Sequence, residues 1–429
     1  MAPFRQLAFS NAPRLGEILA PEHNSFGVIR FAMALAVLVS HSYWFTTGSK
    51  IADPLVRWTG HSIGEHAVQV FFFLSGILVA QSLLGSRSVL NFAVARGLRI
   101  FPALIVCVLL TALVLGPLFT HGSLIHYFTD TQLPVYVLKT LMLVTGSAPL
   151  PHLFQNQALP NMGNVSLWTL KYEVLCYAGL GLIGYAGLIN QRLRPFTTAL
   201  LAVFVLTIFI GRPKPLETYT FIDNLRYFAL YFYAGVLAYL LRQYLRIVGW
   251  VLIPLGAGFV ALLGTRFGEL AGCLFLGYAT LWVATFRFGP LRAFANDNDY
   301  SYGLYIFAGP IQQLVVSLLP DYGATAVSFH ALSLALPLAV FSWELIERPA
   351  IAMRKPILAW LSRSMSPLAT GALPSQFQLG PPAIAADRWR MALQSPARRF
   401  KPGALILATV PRRRSAKIRY RGRAHRSFG

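Results

Sequence analysis

Residues 98–118 read LRIFPALIVCVLLTALVLGPL, 21 positions with a single charge, Arg99. A helix needs about 20 predominantly apolar residues to cross a bilayer core, because its backbone polar groups must be satisfied within the segment. The stretch is a membrane span by that measure, and the composition around it agrees. In 429 residues, hydrophobic side chains are 55% and charged ones 12%, with a mean hydropathy of +0.56. Soluble domains carry about 25% charged residues, so this chain has too little polar surface for a row of water-exposed domains.

Nine further apolar runs lie outward from this one, at 26–45, 66–84, 166–189, 197–211, 226–242, 247–264, 269–286, 301–319 and 325–345. The run at 197–211 is short, and Tyr136 to Val144 is apolar but too brief to span. Gly179, Gly181, Gly184, Gly187 and Pro254 lie inside these runs, which membrane helices tolerate because small residues let neighbours approach closely. The expected fold is an all-α integral membrane protein, a polytopic bundle of about ten transmembrane helices. Ten becomes eleven if one run is misjudged. Residues 1–24 form the segment before it and lack the apolar core of a cleavable signal peptide, so the first helix is expected to direct its own insertion. Residues 25–350 are the transmembrane domain, and residues 351–429 a basic tail.

Formal net charge is +22, from 37 basic and 15 acidic residues. Taken alone that suggests a polyanion partner. Residues 348–429 hold 17 of the basic residues and one acidic, a net +16. Ser, Pro, Gly and Ala followed by Arg clusters is the composition of a disordered tail, suited to anionic lipid at the inner membrane surface. No nucleic-acid-binding fold accompanies it, so no nucleic-acid partner is expected. An even number of spans puts this tail on the same side as Arg5 and Arg14, and basic residues favour the cytoplasm; both termini are therefore expected to be cytoplasmic. Cys107, Cys176 and Cys273 all lie in apolar runs without a C-x-x-C pair, which suggests neither disulfides nor a metal site.

Charge inside a bilayer is costly, so each ionisable residue within a span is a candidate for function. Arg30 and His41 lie eleven residues apart in the first run, about 20° short of alignment after three turns and about 16 Å apart along the axis. They share a face, with Arg30 at the cytoplasmic mouth. Arg96 and Arg99, three apart before Pro102, are neighbours on one helix face. They serve either as positive-inside anchors or, with Arg30, as a phosphate site, since guanidinium forks bind phosphate oxygens bidentately. Glu173 stands about 10 Å below the outer end of its run and His41 about 6 Å below its own, so the two are expected to meet as a carboxylate and a general base. A Glu173–Lys171 ion pair is the alternative. Tyr177 follows one turn on as a substrate contact. Ser75 and Gly76 read as a close-packing site, while Glu344, Glu347 and Arg348 read as a helix stop at the membrane surface. No G-x-S-x-G elbow, P-loop or metal-spacing motif is present.

The order of these pieces resembles the membrane acyltransferase-3 family, ten-helix bacterial enzymes that O-acylate cell-surface polysaccharides, lipopolysaccharide and nodulation factors. The resemblance covers roughly residues 24–350. It rests on Arg30 and His41, on FFFLSGILVA at 71–80, on Arg96, Arg99 and Pro102, on SLWTLKYEVLCY at 166–177, on SYGLYIF at 301–307 and on ELIERP at 344–349. It implies that His41 is catalytic and that Arg30, Arg96 and Arg99 contact an acyl-CoA donor. Acyl-CoA would be a co-substrate, with no bound cofactor and no metal. The implied acceptor is a cell-surface polysaccharide or lipid-linked glycan, and the implied location is the bacterial inner membrane. Many members have a histidine soon after the S-Y-x-x-Y motif, where this chain has Ala308, and some carry an esterase-like soluble domain that is missing here. Two other classes are compatible with many spans and few buried charges. A secondary transporter or glycan-lipid flippase would move substrate without a covalent product, though no inverted repeat is evident. A catalytically silent scaffold would depend on its tail and not on His41.

Overall fold

The computed structural model describes residues 12–365 apart from 87, 145–148, 151 and 209–218. Met1–Leu379 forms one unit; the second, Gly380–Gly429, lies outside the described residues, as does the expected tail from residue 366 onward.

Each of the ten apolar runs carries a helix. In chain order these are α1 Phe26–Thr47, α2 Ile63–Ser86, α3 Val89–Phe119, α4 Leu170–Tyr185, α5 Arg194–Thr207, α6 Phe221–Leu240, α7 Leu252–Leu262, α8 Gly268–Ala284, α9 Tyr300–Leu318 and α10 Ala324–Ser342. Among the described residues there are no strands, only isolated bridges between Arg14 and Arg246 and between Thr120 and Leu153. Four helical stretches are long and apolar enough to cross a membrane: α1, α2, α3 and Ala324–Arg363, which contains α10. Helix α9 is of spanning length, but its polar side chains pair inside the bundle. Gln312 Nε2, for example, donates to Leu38 O and Ser42 Oγ, each at 2.6 Å. Both donor hydrogens of the amide are thus engaged, which lowers the cost of burying it.

Helices α2 and α6 pack against each other most extensively, and two glycines explain how closely. A Cβ on Gly76 would lie 2.0 Å from Phe232 O, and one on Gly235 would lie 2.1 Å from Phe73 O. Only hydrogen fits at either point, so backbone meets backbone there. Phe72 stacks on Phe228 beside this seam at 4.4 Å. Helix α9 packs against α1 and α10. Helix α3 carries Pro102 and, one turn before its end, a π-helical turn, Thr111–Leu115, where Thr111 Oγ1 donates to Cys107 O at 2.8 Å. Side-chain hydroxyls of this kind satisfy carbonyls that an irregular turn frees within the membrane.

The flanks are more structured than composition suggests. The short helix Leu15–Ile18 is pinned by Leu15 N–H to Leu245 O at 2.8 Å and Gly16 N–H to Arg242 O at 2.9 Å. Beyond α10 the chain runs through a π-turn, Trp343–Glu347, into helices Arg348–Ala352 and Arg354–Met365. Helical structure thus passes the boundary expected at residue 350, and Arg354 Nε holds Asn91 Oδ1 at 2.7 Å.

Candidate active site

The end of α1 that carries Arg30 meets the start of α3, and the two helices converge on Asp299, the residue preceding α9. Arg30 Nη1 donates to Asp299 Oδ2 at 2.8 Å and Arg99 Nη2 to the same oxygen at 2.6 Å, while Ser301 Oγ donates to Oδ1 at 2.5 Å. The second fork of Arg99 pairs with Glu347, whose other oxygen accepts from Ser342 Oγ at 2.9 Å. Burial alone would raise the Asp299 carboxyl, but the flanking guanidiniums of Arg30 and Arg99 outweigh it and hold the group at about 2. Arg30, Arg99 and Ser301 line a cavity of about 110 Å³ together with Arg96, Ser75, Glu173, Tyr177, Tyr302 and Tyr305. Glu173 accepts hydrogen bonds from Tyr177 OH and from Ser75 Oγ, the latter at 3.3 Å. Arg96 lies over the Tyr177 ring at 5.9 Å and has no carboxylate partner among the described residues. Its Nε is buried without a hydrogen bond. Arg30 and Arg99 are thus paired with Asp299 and Glu347, while Arg96 is not paired with an acid among the described residues; Arg30 Nε, like Arg96 Nε, is buried without a hydrogen bond.

His41 lines a second cavity, of about 50 Å³, with Trp44, Lys50, Glu65, Trp168, Tyr227 and others. Its Nδ1 lies 3.4 Å from Ser166 Oγ, and Nε2 makes no hydrogen bond among the described residues. The two cavities share two lining residues, Val68 and Tyr305. Tyr305 is tied into the 166–169 turn, bonding Thr169 Oγ1 at 2.7 Å and donating to Ser166 O at 2.8 Å. The turn that positions the partner of His41 thereby also positions the wall between the cavities.

A polar network supports this second cavity. His61 Nε2 bonds Glu269 Oε1 at 2.7 Å, and Glu65 Oε2 lies 3.6 Å from His61 Nδ1 and accepts Ser62 N–H at 2.8 Å. Burial alone would lower the His61 imidazole, but its hydrogen bonds to Glu269 and Glu65 and their charges raise it to about 10. His61 is therefore cationic, and it offsets part of the charge of the two acids beside it.

The structure brings together Arg30, Arg96, Arg99, Glu173 and Tyr177 in one cavity and places His41 in the other. The expected meeting of Glu173 with His41 is not seen: the Glu173 carboxylate points to Ser75 and Tyr177, and the acid on His41's cavity is Glu65. Counting depth along two helices ignored the azimuth, which turns Glu173 toward α2. The alternative pairing with Lys171 is also not seen, since that amine lies over the rings of Tyr172 and Phe221. Gly76 packs as expected. Glu347 requires correction, because it is 1% exposed and paired with Arg99, and Glu344 makes the surface pair with Arg348 at 3.0 Å. Asp299 and Glu65 were not singled out from the sequence. An acid two residues before SYGLYIF, and one four residues after a histidine, are the signals that mark them among only 15 acidic residues.

Residues 23–344 match the acyltransferase-3 family model, an acyltransferase domain. The chain belongs to this family. It is a membrane acyltransferase moving a group other than an amino-acyl group. It is 31% identical over 344 residues to an O-acetyl transferase of Shigella phage Sf6, an alignment covering 78% of this chain and 98% of the phage protein. It is 27% identical over 374 residues to nodulation protein 10 of Rhizobium leguminosarum bv. viciae, covering 78% of this chain and 95% of that one. No solved structure matches the chain.

Proposed function

We propose that this acyltransferase carries an acyl group, acetyl or another short one, from cytoplasmic acyl-CoA to a hydroxyl of an extracytoplasmic cell-surface glycan. It does so in the bacterial inner membrane through about ten spans, with both termini cytoplasmic. The observation that carries this reading is the pair of cavities sharing Val68 and Tyr305, one lined by arginines and the other by His41. The name of the phage relative, an O-acetyl transferase, supports an O-acyl product. Arg96, with its unpaired Nε, receives a donor phosphate, and Tyr177 and Glu173 orient it. Arg30 and Arg99 contribute field and exchange their carboxylate partners for phosphate oxygens.

The acyl arm then runs along the shared face toward His41, about 16 Å from Arg30. If Nδ1–H donates to Ser166 Oγ, Nε2 is the basic nitrogen. It takes the proton of the acceptor hydroxyl as that oxygen attacks the thioester carbonyl. The carbon–sulfur bond breaks, CoA leaves as thiolate, and the imidazolium returns the proton to it. Glu65, on the same cavity, stabilises the imidazolium. Glu173 serves the donor side.

The test is mass spectrometry of surface glycan from cells producing the wild type, His41→Ala or no enzyme. The expected result is an acyl mass increment in the wild type alone, with His41→Ala still inserted and folded. An undiminished increment in His41→Ala refutes the assignment. Substrate translocation in vesicles with no covalent product would replace enzyme by transporter.

A further inference from the structure

The connection between α3 and α4 gathers three side chains that acyl transfer leaves unused. His126 stands in the short helix Leu124–Thr129, Asp130 follows its last residue, and His152 lies in a later turn. His152 Nε2 is 3.3 Å from Asp130 Oδ2, and the rings of His126 and His152 have centroids 5.0 Å apart. One donor atom from each of the three lies within 4.8 Å of the other two. The two segments are fixed to each other by the Thr120–Leu153 bridge and by His121 N–H donating to His152 O at 2.9 Å. His152 itself is held at φ 60°, a left-handed conformation uncommon for a non-glycine residue. Asp130 Oδ1 accepts Gln132 N–H at 2.8 Å, so Oδ2 is the oxygen left for a ligand. The His126 imidazole makes no hydrogen bond among the described residues, and it is exposed.

Two imidazoles and one carboxylate form a borderline donor set. It suits Zn²⁺ better than Mg²⁺ or Ca²⁺, which prefer all-oxygen shells, or Cu⁺, which prefers sulfur. Zinc bonds of about 2.0–2.1 Å place neighbouring ligands of a tetrahedron about 3.4 Å apart. The Asp130–His152 separation of 3.3 Å already meets that spacing. Only His126 must close in, by rotation of an exposed side chain. We propose that His126, Asp130 and His152 form a divalent transition-metal site selective for Zn²⁺, with three protein ligands and a fourth position open to water. The ion ties helix Leu124–Thr129 to the His152 turn and so braces the connection that leads into the Ser166 turn beside His41.

The experiment uses the full-length, tag-free protein in detergent micelles, equilibrated with Zn²⁺ alone, dialysed and assayed for metal per chain by mass spectrometry. The expected result is roughly one Zn²⁺ per chain, released by a chelator, and none in the His126→Ala/His152→Ala double variant. Asp130→Asn should weaken binding about tenfold or more. Co²⁺ in place of Zn²⁺ should show the visible absorption of a tetrahedral nitrogen–oxygen site, lost in His126→Ala. Because His126 is exposed, that single variant isolates metal binding from folding, and protection of the three buried cysteines from a thiol dye checks the fold of each variant. A metal-free wild type, or a zinc content unchanged in the double variant, overturns the proposal.

Discussion

Asp299→Asn should destabilise this protein more than the loss of any single arginine that lacks a carboxylate partner. Asp299 is the one carboxylate partner of Arg30 among the described residues and one of two for Arg99. The drop of its carboxyl from an ordinary 3.8 to about 2 corresponds to roughly 2 kcal/mol in favour of the charged form, net of the burial that opposes it. Breaking a buried pair by removing one partner costs about 3–5 kcal/mol. Side-chain exposures of 26% for Arg30 and 15% for Asp299 favour the lower part of that range, so about 2–4 kcal/mol is expected. For a folded body of this size that translates to a fall in melting temperature on the order of 3–5 °C. Cys107, Cys176 and Cys273 are all buried, so a dye that fluoresces on reaching free thiols reports unfolding in detergent directly. The folded-state value is depressed, so the wild type's benefit is present above about pH 4 and is lost as pH falls toward 2; Asp299→Asn should lack that acid-dependent loss. Arg96→Ala is the matched control. It strands no carboxylate, so it should leave melting nearly unchanged while raising the apparent KM for acyl-CoA. An Asp299→Asn melting point no lower than that of Arg96→Ala would refute the reasoning.

Gly235→Val places a side chain where a Cβ alone would lie 2.1 Å from Phe73 O; it should abolish folded expression, measured by size-exclusion yield, while Gly258→Val, with nothing within 4 Å, should not. His61 has a raised folded-state value of about 10, so its contribution is complete below about pH 6.5 and declines as pH rises toward 10. Glu269→Gln should flatten that alkaline decline, and melting temperatures from pH 6 to 9.5 would show it; parallel curves for the two proteins would contradict it.

The helices were legible because apolar runs need no tertiary knowledge: each of the ten runs carries a helix, and four helical stretches are long and apolar enough to cross a membrane. The donor-side arginines were legible for a related reason: charge is rare in an apolar body, so Arg30, Arg96 and Arg99 stand out, and the fold does gather them. Their partners were not. Asp299 and Glu347 lie at helix ends, where acids are ordinarily solvated, and only the convergence of α1, α3, α9 and the turn after α10 buries them. The His41–Glu173 expectation failed for a geometric reason: depth in a membrane follows from residue number, but which neighbour a face meets follows from packing. Gly76 and Gly235 set that packing by drawing α2 against α6. The His126, Asp130 and His152 cluster was invisible because its spacing in sequence matches no metal motif, and a loop closed by one bridge creates it.

Under the proposed reaction an acyl group crosses the bilayer inside the protein, and a path of that kind would risk leaking protons. Val68 and Tyr305 stand where the two cavities adjoin, one an apolar side chain and the other a ring whose hydroxyl is held by Thr169 Oγ1 and Ser166 O. With that hydroxyl engaged on both counts, it offers no free relay to a file of water. In that scheme the same two side chains would insulate as well as connect, since neither an apolar side chain nor an engaged hydroxyl passes a proton on between turnovers.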